Sequence, residues 1–194
     1  MAEKCLAEDQ KNAEKSVKTV VLLDEIGFDL SPILHKTWSP IGETPVISEP
    51  VFRRHHSGLG MIFMSPKRTK FHFYFTIHPG AVLTEHLVFW LRELHRKVRK
   101  QVILVRDDLP GHRAAEAFFL AHHPTWFQFE HLPPYSPELN PTESPWSHIK
   151  TGDLANFVPS NSTQLVTKTL AAAKKINDDP ELIKSFFKHE KLKI

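Results

Sequence analysis

The chain has 194 residues, of which 41% are hydrophobic and 24% charged, with a formal net charge of +3 and a sequence pI near 8.9. This is the composition of one globular domain, and the sequence contains neither an apolar run of membrane-spanning length nor a signal-peptide pattern. The single cysteine, Cys5, excludes an internal disulfide framework and a CxxC zinc site. We therefore expect a cytoplasmic protein whose basic balance is compatible with nucleic acid.

The chain opens with a polar, mixed-charge segment, residues 1–16, which predicts a leader or linker before one domain over residues 17–194. Short apolar runs rich in β-branched residues predict strands at residues 19–24 and 101–106, of the kind that is buried on both faces. Alternating or apolar runs predict the remaining strands, at residues 46–52, 58–64, 71–77 and 126–131.

Between the predicted strands, apolar residues at helical spacing predict an amphipathic helix, through Leu87, Leu91, Leu94 and Val98. Further helices are predicted at residues 112–121, 142–150, 163–177 and 180–189. Strands that are followed by alternating helices and strands predict an α/β fold with a mixed sheet.

Acidic pairs follow two of the apolar strand runs directly. Asp24 and Glu25 follow residues 20–23, and Asp107 and Asp108 come after a strand that ends at Arg106. Acidic groups in such places are costly unless they are solvated, paired or bound to metal. If the two strands are adjacent and parallel, Asp24 and Asp107 project from the same edge of the sheet. Side chains alternate along a strand, so only one member of each pair can face a shared site.

A proline-rich segment, residues 132–143 (LPPYSPELNPTE), predicts an ordered, extended connection into a helix. Asn140 can cap that helix, Pro141 suits its first position, and Glu143 falls three residues after the cap. Two alternatives stay open. Glu143 could be a capping-box residue that only satisfies backbone groups, and Pro145 would break a helix that began at Pro141, so the helix could begin after Glu143.

Residues 21–28 (VLLDEIGF), 104–113 (LVRDDLPGHR) and 132–143 form three ordered motifs. With residues 38–45 (WSPIGETP), 153–157 (DLANF) and 185–187 (SFF), they resemble the mariner-like insertion-sequence transposases of the DDE superfamily. The resemblance implies a ribonuclease H-like α/β fold, with a mixed sheet of three antiparallel and two parallel strands flanked by helices. It also implies a catalytic triad of Asp24, Asp107 and Glu143.

The chemistry that the resemblance implies is cleavage of double-stranded DNA at transposon ends, followed by strand transfer. The three carboxylates would hold two Mg²⁺ or Mn²⁺ ions about 3.5–4 Å apart. The family expectation is a nucleoid-associated homodimer on paired DNA ends, with no membrane partner and no small-molecule cofactor. No segment matches the family's amino-terminal helix-turn-helix region, so we expect weak DNA binding with little sequence preference.

Several other residues are accessory candidates. Asp108, where the family usually carries asparagine, competes with Asp107, which the motif favours; Arg106 could pair with Asp108. Asn140 is an accessory candidate, and His112 could contact DNA or a metal-bound water, although a structural or solvated histidine is the commoner case. Candidates for contacts to DNA phosphates are Arg53, Arg54, Lys67, Arg68, Arg92, Arg96 and Arg99. Two rival functions stay open: an inactive or co-opted DNA-binding remnant, and a simple metal-dependent nuclease.

Overall fold

The computed structural model describes residues 18–48, 55–133 and 139–189. Its strands form one five-stranded sheet in the order β3-β2-β1-β4-β5. The strands are β1 (Thr19–Asp29), β2 (His55–Met64), β3 (Phe71–Pro79), β4 (Val102–Arg106) and β5 (Phe127–His131). The first three pair antiparallel, while β4 pairs parallel with β1 and with β5. The predicted mixed sheet of three antiparallel and two parallel strands is therefore confirmed.

Helices cover both faces of this sheet, which is why its central strand is apolar on both sides. On one face lie α1 (Thr84–Val98) and α2 (Pro110–His122), which pack on Val21 and Leu23 of β1. The other face carries the remaining helices, α3 (Glu143–His148), α4 (Ser162–Asn177) and α5 (Pro180–His189). Val20 and Leu22 face this second layer, so successive residues of β1 alternate between two apolar cores.

The strand β1 is longer than the sequence predicted. It continues beyond Asp24 to Asp29 because β2 keeps pairing with it as far as the Asp29–His55 pair. The predicted strand at residues 46–52 is wrong for residues 46–48, which form no strand, and its remaining residues lie outside the described part of the chain, as does the predicted leader. No described helix is long and apolar enough to cross a membrane.

The helix α3 begins at Glu143, so the prediction that Asn140 caps it and Pro141 opens it is wrong, as is the alternative of a start after Glu143. Thr142 occupies the cap position, and Pro145 is the third helical residue. The N–H groups of a first helical turn have no partner within the helix, so proline there removes no helical hydrogen bond. A π-helical turn, Ile149–Asp153, follows α3 directly.

Candidate active site

Asp24 and Asp107 lie on the same edge of the sheet, as predicted from the sequence. The parallel pairing of β1 with β4 runs as far as Leu22 and Val105, and the same register continued by two residues sets Asp24 opposite Asp107. The sequence predicted that Asp24 ends its strand, but Asp24 lies within β1, two residues beyond the last pair with β4. Burial is the main cause that raises the pKa of Asp24, and the nearby charge of Asp107 adds to it.

The Asp24 carboxylate is buried, with 8% of the residue exposed, and two side chains of the segment around α3 contact it. Trp146 Nε1 donates a hydrogen bond of 2.8 Å to Asp24 Oδ2, and Thr142 Oγ1 lies 3.1 Å from the same oxygen. Burial raises the pKa of Asp24, and these two contacts oppose the rise without cancelling it. Among the described residues, no lysine, arginine or histidine forms an ion pair with Asp24.

The Trp146 indole reaches Asp24 because a glycine makes room for it. Gly60 pairs with Asp24 across β1 and β2, and a Cβ atom at Gly60 would lie 2.2 Å from Trp146 Cη2. Phe73 and Phe75 also contact the indole edge-to-face, each with ring centroids 5.8 Å away. In the sequence, a glycine inside an apolar strand was the available signal for such a close approach.

Asn140 and Thr142 form a polar link between the proline-rich segment and Asp24. Both are buried, and Asn140 Oδ1 accepts a 3.3 Å hydrogen bond from the Thr142 backbone N–H and also contacts the Thr142 hydroxyl. A hydroxyl has one proton, so Thr142 donates either to Asn140 or to Asp24. Asn140 thus positions Thr142 rather than capping the helix.

Glu143, the third residue of the expected triad, follows Thr142 directly, and its side chain is exposed. Its backbone N–H donates a 3.0 Å hydrogen bond to the Asn140 carbonyl. Within the described part of the chain, no three His, Cys, Asp or Glu side chains are grouped closely enough to hold a metal ion. The structure therefore brings Asp24 and Asp107 together and holds the start of α3 against Asp24, but it does not gather Glu143 with them.

His112 is 1% exposed and lies between two carboxylates, so it is a buried residue and not a solvated one. Its Nδ1 is 2.5 Å from Asp107 Oδ1, and its Nε2 is 3.1 Å from Glu25 Oε1. Burial alone would lower the pKa of His112, but the contacts with Asp107 and Glu25 raise it to about 9. For the Asp107 carboxyl the effect of burial is the opposite, a higher pKa, but His112 and the Leu109 N–H hold the pKa of Asp107 below its ordinary value.

Asp108 has different partners from Asp107. Its carboxylate lies 3.7 Å from Arg106 Nη1 and 2.9 Å from Arg113 Nη1, so the expected contact with Arg106 exists. Arg106 is buried, forms an ion pair with Glu116 and lies 3.2 Å from His131 Nε2. Two arginines thus engage Asp108, whereas the Asp107 carboxylate contacts His112 and the Leu109 N–H.

Of the basic residues suggested for DNA contacts, four lie at the end of the sheet where β1 begins, away from Asp24: Lys67, Arg68, Arg96 and Arg99. Lys67 and Arg68 lie in the β2–β3 turn, next to the end of β1 that pairs with Met64. Arg96 and Arg99 lie where α1 ends, before the start of β4 and so at this same end of the sheet, and Arg92 contacts the Phe118 ring. Arg53 and Arg54 lie outside the described residues. Their role in binding DNA stays a prediction.

The two aspartates fit a divalent cation. The side-chain contacts of Asp24 fall on Oδ2, and those of Asp107 fall on Oδ1, which also accepts a 3.2 Å hydrogen bond from the Leu109 N–H. Each carboxylate is therefore oriented through one oxygen. A buried carboxylate without a cationic partner, next to a second carboxylate, is stabilised by a hard cation that takes oxygen ligands.

A five-stranded mixed sheet with acidic residues on neighbouring parallel strands and helices on both faces defines a ribonuclease H-like domain. A family model described as DDE superfamily endonuclease matches residues 19–164. The chain belongs to this family.

Solved structures with a similar fold include complexes of the Mos1 transposase. They are the mariner Mos1 paired-end complex with Mg (TM-score 0.59, 17% identity), the corresponding complex with Mn (0.58, 16%) and the Mos1 paired-end complex with the left transposon end (0.57, 17%). The matches cover 95%, 95% and 98% of this chain, and 60%, 61% and 61% of the respective Mos1 chains. This chain thus spans about three fifths of the Mos1 chains, and the likeness concerns the fold. No curated protein matches the sequence.

Proposed function

We propose that this chain is the catalytic domain of a DDE transposase, which cleaves double-stranded DNA at transposon ends and joins the freed 3′ end to a target. The observation that carries the proposal is the placement of Asp24, on β1, beside Asp107, which directly follows the neighbouring parallel strand β4, with α3 held against Asp24 through Trp146. Family membership and the likeness to Mos1 complexes support it.

Asp24, Asp107 and Glu143 would hold two Mg²⁺ or Mn²⁺ ions. When bound, such ions activate an attacking oxygen and stabilise the leaving oxygen of an in-line displacement at phosphorus. The protein's part is to orient the ligands: Trp146 holds one oxygen of Asp24, and His112 holds one oxygen of Asp107. The proposal requires the exposed Glu143 side chain to turn toward Asp24 when a cation binds.

Nicking of supercoiled plasmid DNA tests the metal-dependent cleavage. Mg²⁺ or Mn²⁺ should support nicking by the wild-type chain, and Asp24→Asn should abolish it, because the neutral amide cannot replace a carboxylate ligand. Asp29→Asn is the matched control, since Asp29 lies on the same strand but is exposed and contacts His55. Undiminished nicking by Asp24→Asn would refute the assignment.

A second assay separates a transposase from a simple nuclease. A duplex with a pre-cleaved 3′-hydroxyl end, incubated with plasmid and Mn²⁺, should give a joined product with the wild-type chain. A nuclease would shorten the DNA without joining it, and an inactive remnant would do neither. We further propose a homodimer on paired DNA ends, in the cytoplasm and associated with the nucleoid; the mass of the protein–DNA complex in solution tests the dimer.

A further inference from the structure

A buried histidine joins three elements beside the proposed metal ligands. His112 is the third residue of α2, Asp107 lies in the loop after β4, and Glu25 belongs to β1. The ring contacts Asp107 Oδ1 through Nδ1 at 2.5 Å and Glu25 Oε1 through Nε2 at 3.1 Å. A single imidazole therefore connects the loop that carries Asp107 to the strand that carries Asp24.

Asp107 needs such a connection more than Asp24 does. Asp24 lies within β1, where the pairing with β2 fixes its backbone, and Trp146 holds its side chain. Asp107 follows the last residue of β4, so hydrogen bonds of the sheet do not fix its backbone. Its side chain is oriented by two contacts on Oδ1, from His112 and from the Leu109 N–H.

Glu25 gives the histidine its attachment to β1. It is the neighbour of Asp24 along the strand, and because side chains alternate, it points to the opposite face, where α2 packs. The contact between Glu25 and His112 therefore anchors the ring one residue away from Asp24. In this way the separation between the two aspartates depends on a side chain that belongs to neither strand.

We propose that His112 and Glu25 are positioning residues, which hold the Asp107 carboxylate at the distance from Asp24 that the cations require. This inference rests on the proposed function, because it concerns the same pair of ligands. In this role the two residues act through Asp107 and not through the metal or the DNA. Partners that orient a metal ligand in this way contribute roughly 10- to 100-fold to metal affinity.

A histidine that merely stabilises the core would behave differently from a positioning residue. The amide of asparagine reaches about as far as Nδ1 of histidine, and the amide of glutamine about as far as Nε2. His112→Asn thus keeps a donor for Asp107, whereas His112→Gln keeps one for Glu25. Positioning predicts that the asparagine variant binds metal better than the glutamine variant, whichever of the two is the more stable.

Titration of Mn²⁺ into the DNA-free chain, followed by electron paramagnetic resonance of the free ion, measures this affinity. We expect a loss of roughly 10- to 100-fold for His112→Gln, a smaller loss for His112→Asn, and an intermediate loss for Glu25→Ala. His55→Gln is the matched control, because His55 makes a similar 3.1 Å contact with an aspartate of β1, Asp29, but does not contact Asp107. Its affinity should equal that of the wild-type chain.

The outcomes separate the two proposals. One outcome overturns the positioning role and leaves the metal site standing. In it, the wild-type chain binds Mn²⁺, Asp24→Asn does not, and the His112 variants bind Mn²⁺ as tightly as the wild type. If Asp24→Asn does not affect Mn²⁺ binding, or the wild-type chain binds none, the metal site of the proposed function fails. Crystal structures of the metal-free variants then decide the positioning role: Asp107 should be displaced in His112→Gln and in place in His112→Asn, and an unmoved Asp107 in both would overturn it.

Discussion

Gly60→Ala tests whether the fit of Trp146 against the sheet holds Asp24 in place. The added Cβ atom would lie 2.2 Å from Trp146 Cη2 and 2.7 Å from Cζ2, whereas carbon atoms at ordinary contact are about 3.5–4.0 Å apart. Gly60 belongs to the central part of β2, paired with both β1 and β3, so the strand cannot move easily. The indole must therefore retreat, by about 1.5 Å on the same contact distance.

A retreat of this size breaks the 2.8 Å hydrogen bond from Trp146 Nε1 to Asp24 Oδ2. Loss of a hydrogen bond to a charged group costs about 1.5–3 kcal/mol, and overpacking costs about 1–3 kcal/mol. We expect the free energy of unfolding to fall by about 2.5–6 kcal/mol. Because Asp24 also loses an orienting contact, Mn²⁺ affinity should fall as well.

Urea denaturation followed by tryptophan fluorescence measures the loss of stability, and Mn²⁺ titration measures the affinity. Gly152→Ala is the control, because a Cβ atom at Gly152 meets no atom within 4 Å. It should leave both quantities nearly unchanged. A Gly60→Ala chain as stable as the wild type, with unchanged Mn²⁺ affinity, would show that the indole is not held as described.

Three further results are expected. Because the pKa of Asp24 is raised in the folded chain, Asp24 stays protonated to a higher pH in the folded chain than in the unfolded chain, and stability is lost as pH rises above the ordinary aspartate pKa. Metal-free Asp24→Asn should therefore be more stable than the wild type at pH 7.5 but not at pH 3, as measured by urea denaturation. Glu143→Gln should abolish plasmid nicking, because the neutral amide cannot replace a carboxylate ligand; nicking at the wild-type rate would contradict this. Arg106→Leu should cost about 3–5 kcal/mol because Glu116 loses the guanidinium and keeps only its contact with His131, and adding Glu116→Leu should recover much of the loss in a double-mutant cycle.

Local patterns were sufficient to predict the elements that carry the site. The apolar runs before Asp24 and Asp107 predicted β1 and β4, and helical spacing from Leu87 to Val98 predicted α1. These predictions hold because periodicities of two and 3.6 residues depend on neighbours in sequence. The prediction failed at the start of α3, because the local proline pattern was compatible both with a helix that begins at Pro141 and with one that begins after Glu143, whereas the helix begins at Glu143.

The contacts around the aspartates could not be predicted in this way. Trp146 and Asp24 are 122 residues apart along the chain, and His112 and Glu25 are 87 apart. Only the packing of α3 on one face of the sheet and of α2 on the other decides that these side chains meet.

The sequence by itself thus determined which carboxylates lie near the edge of the sheet, because strand pairing and alternation follow from local apolar patterns. The tertiary structure decided their chemistry: Asp24 is buried beneath an indole and Asp107 is bound to a histidine, while Glu143 remains exposed. The physical reason is that the ionisation and orientation of a carboxylate depend on burial and on the groups around it, and distant segments of the chain supply both.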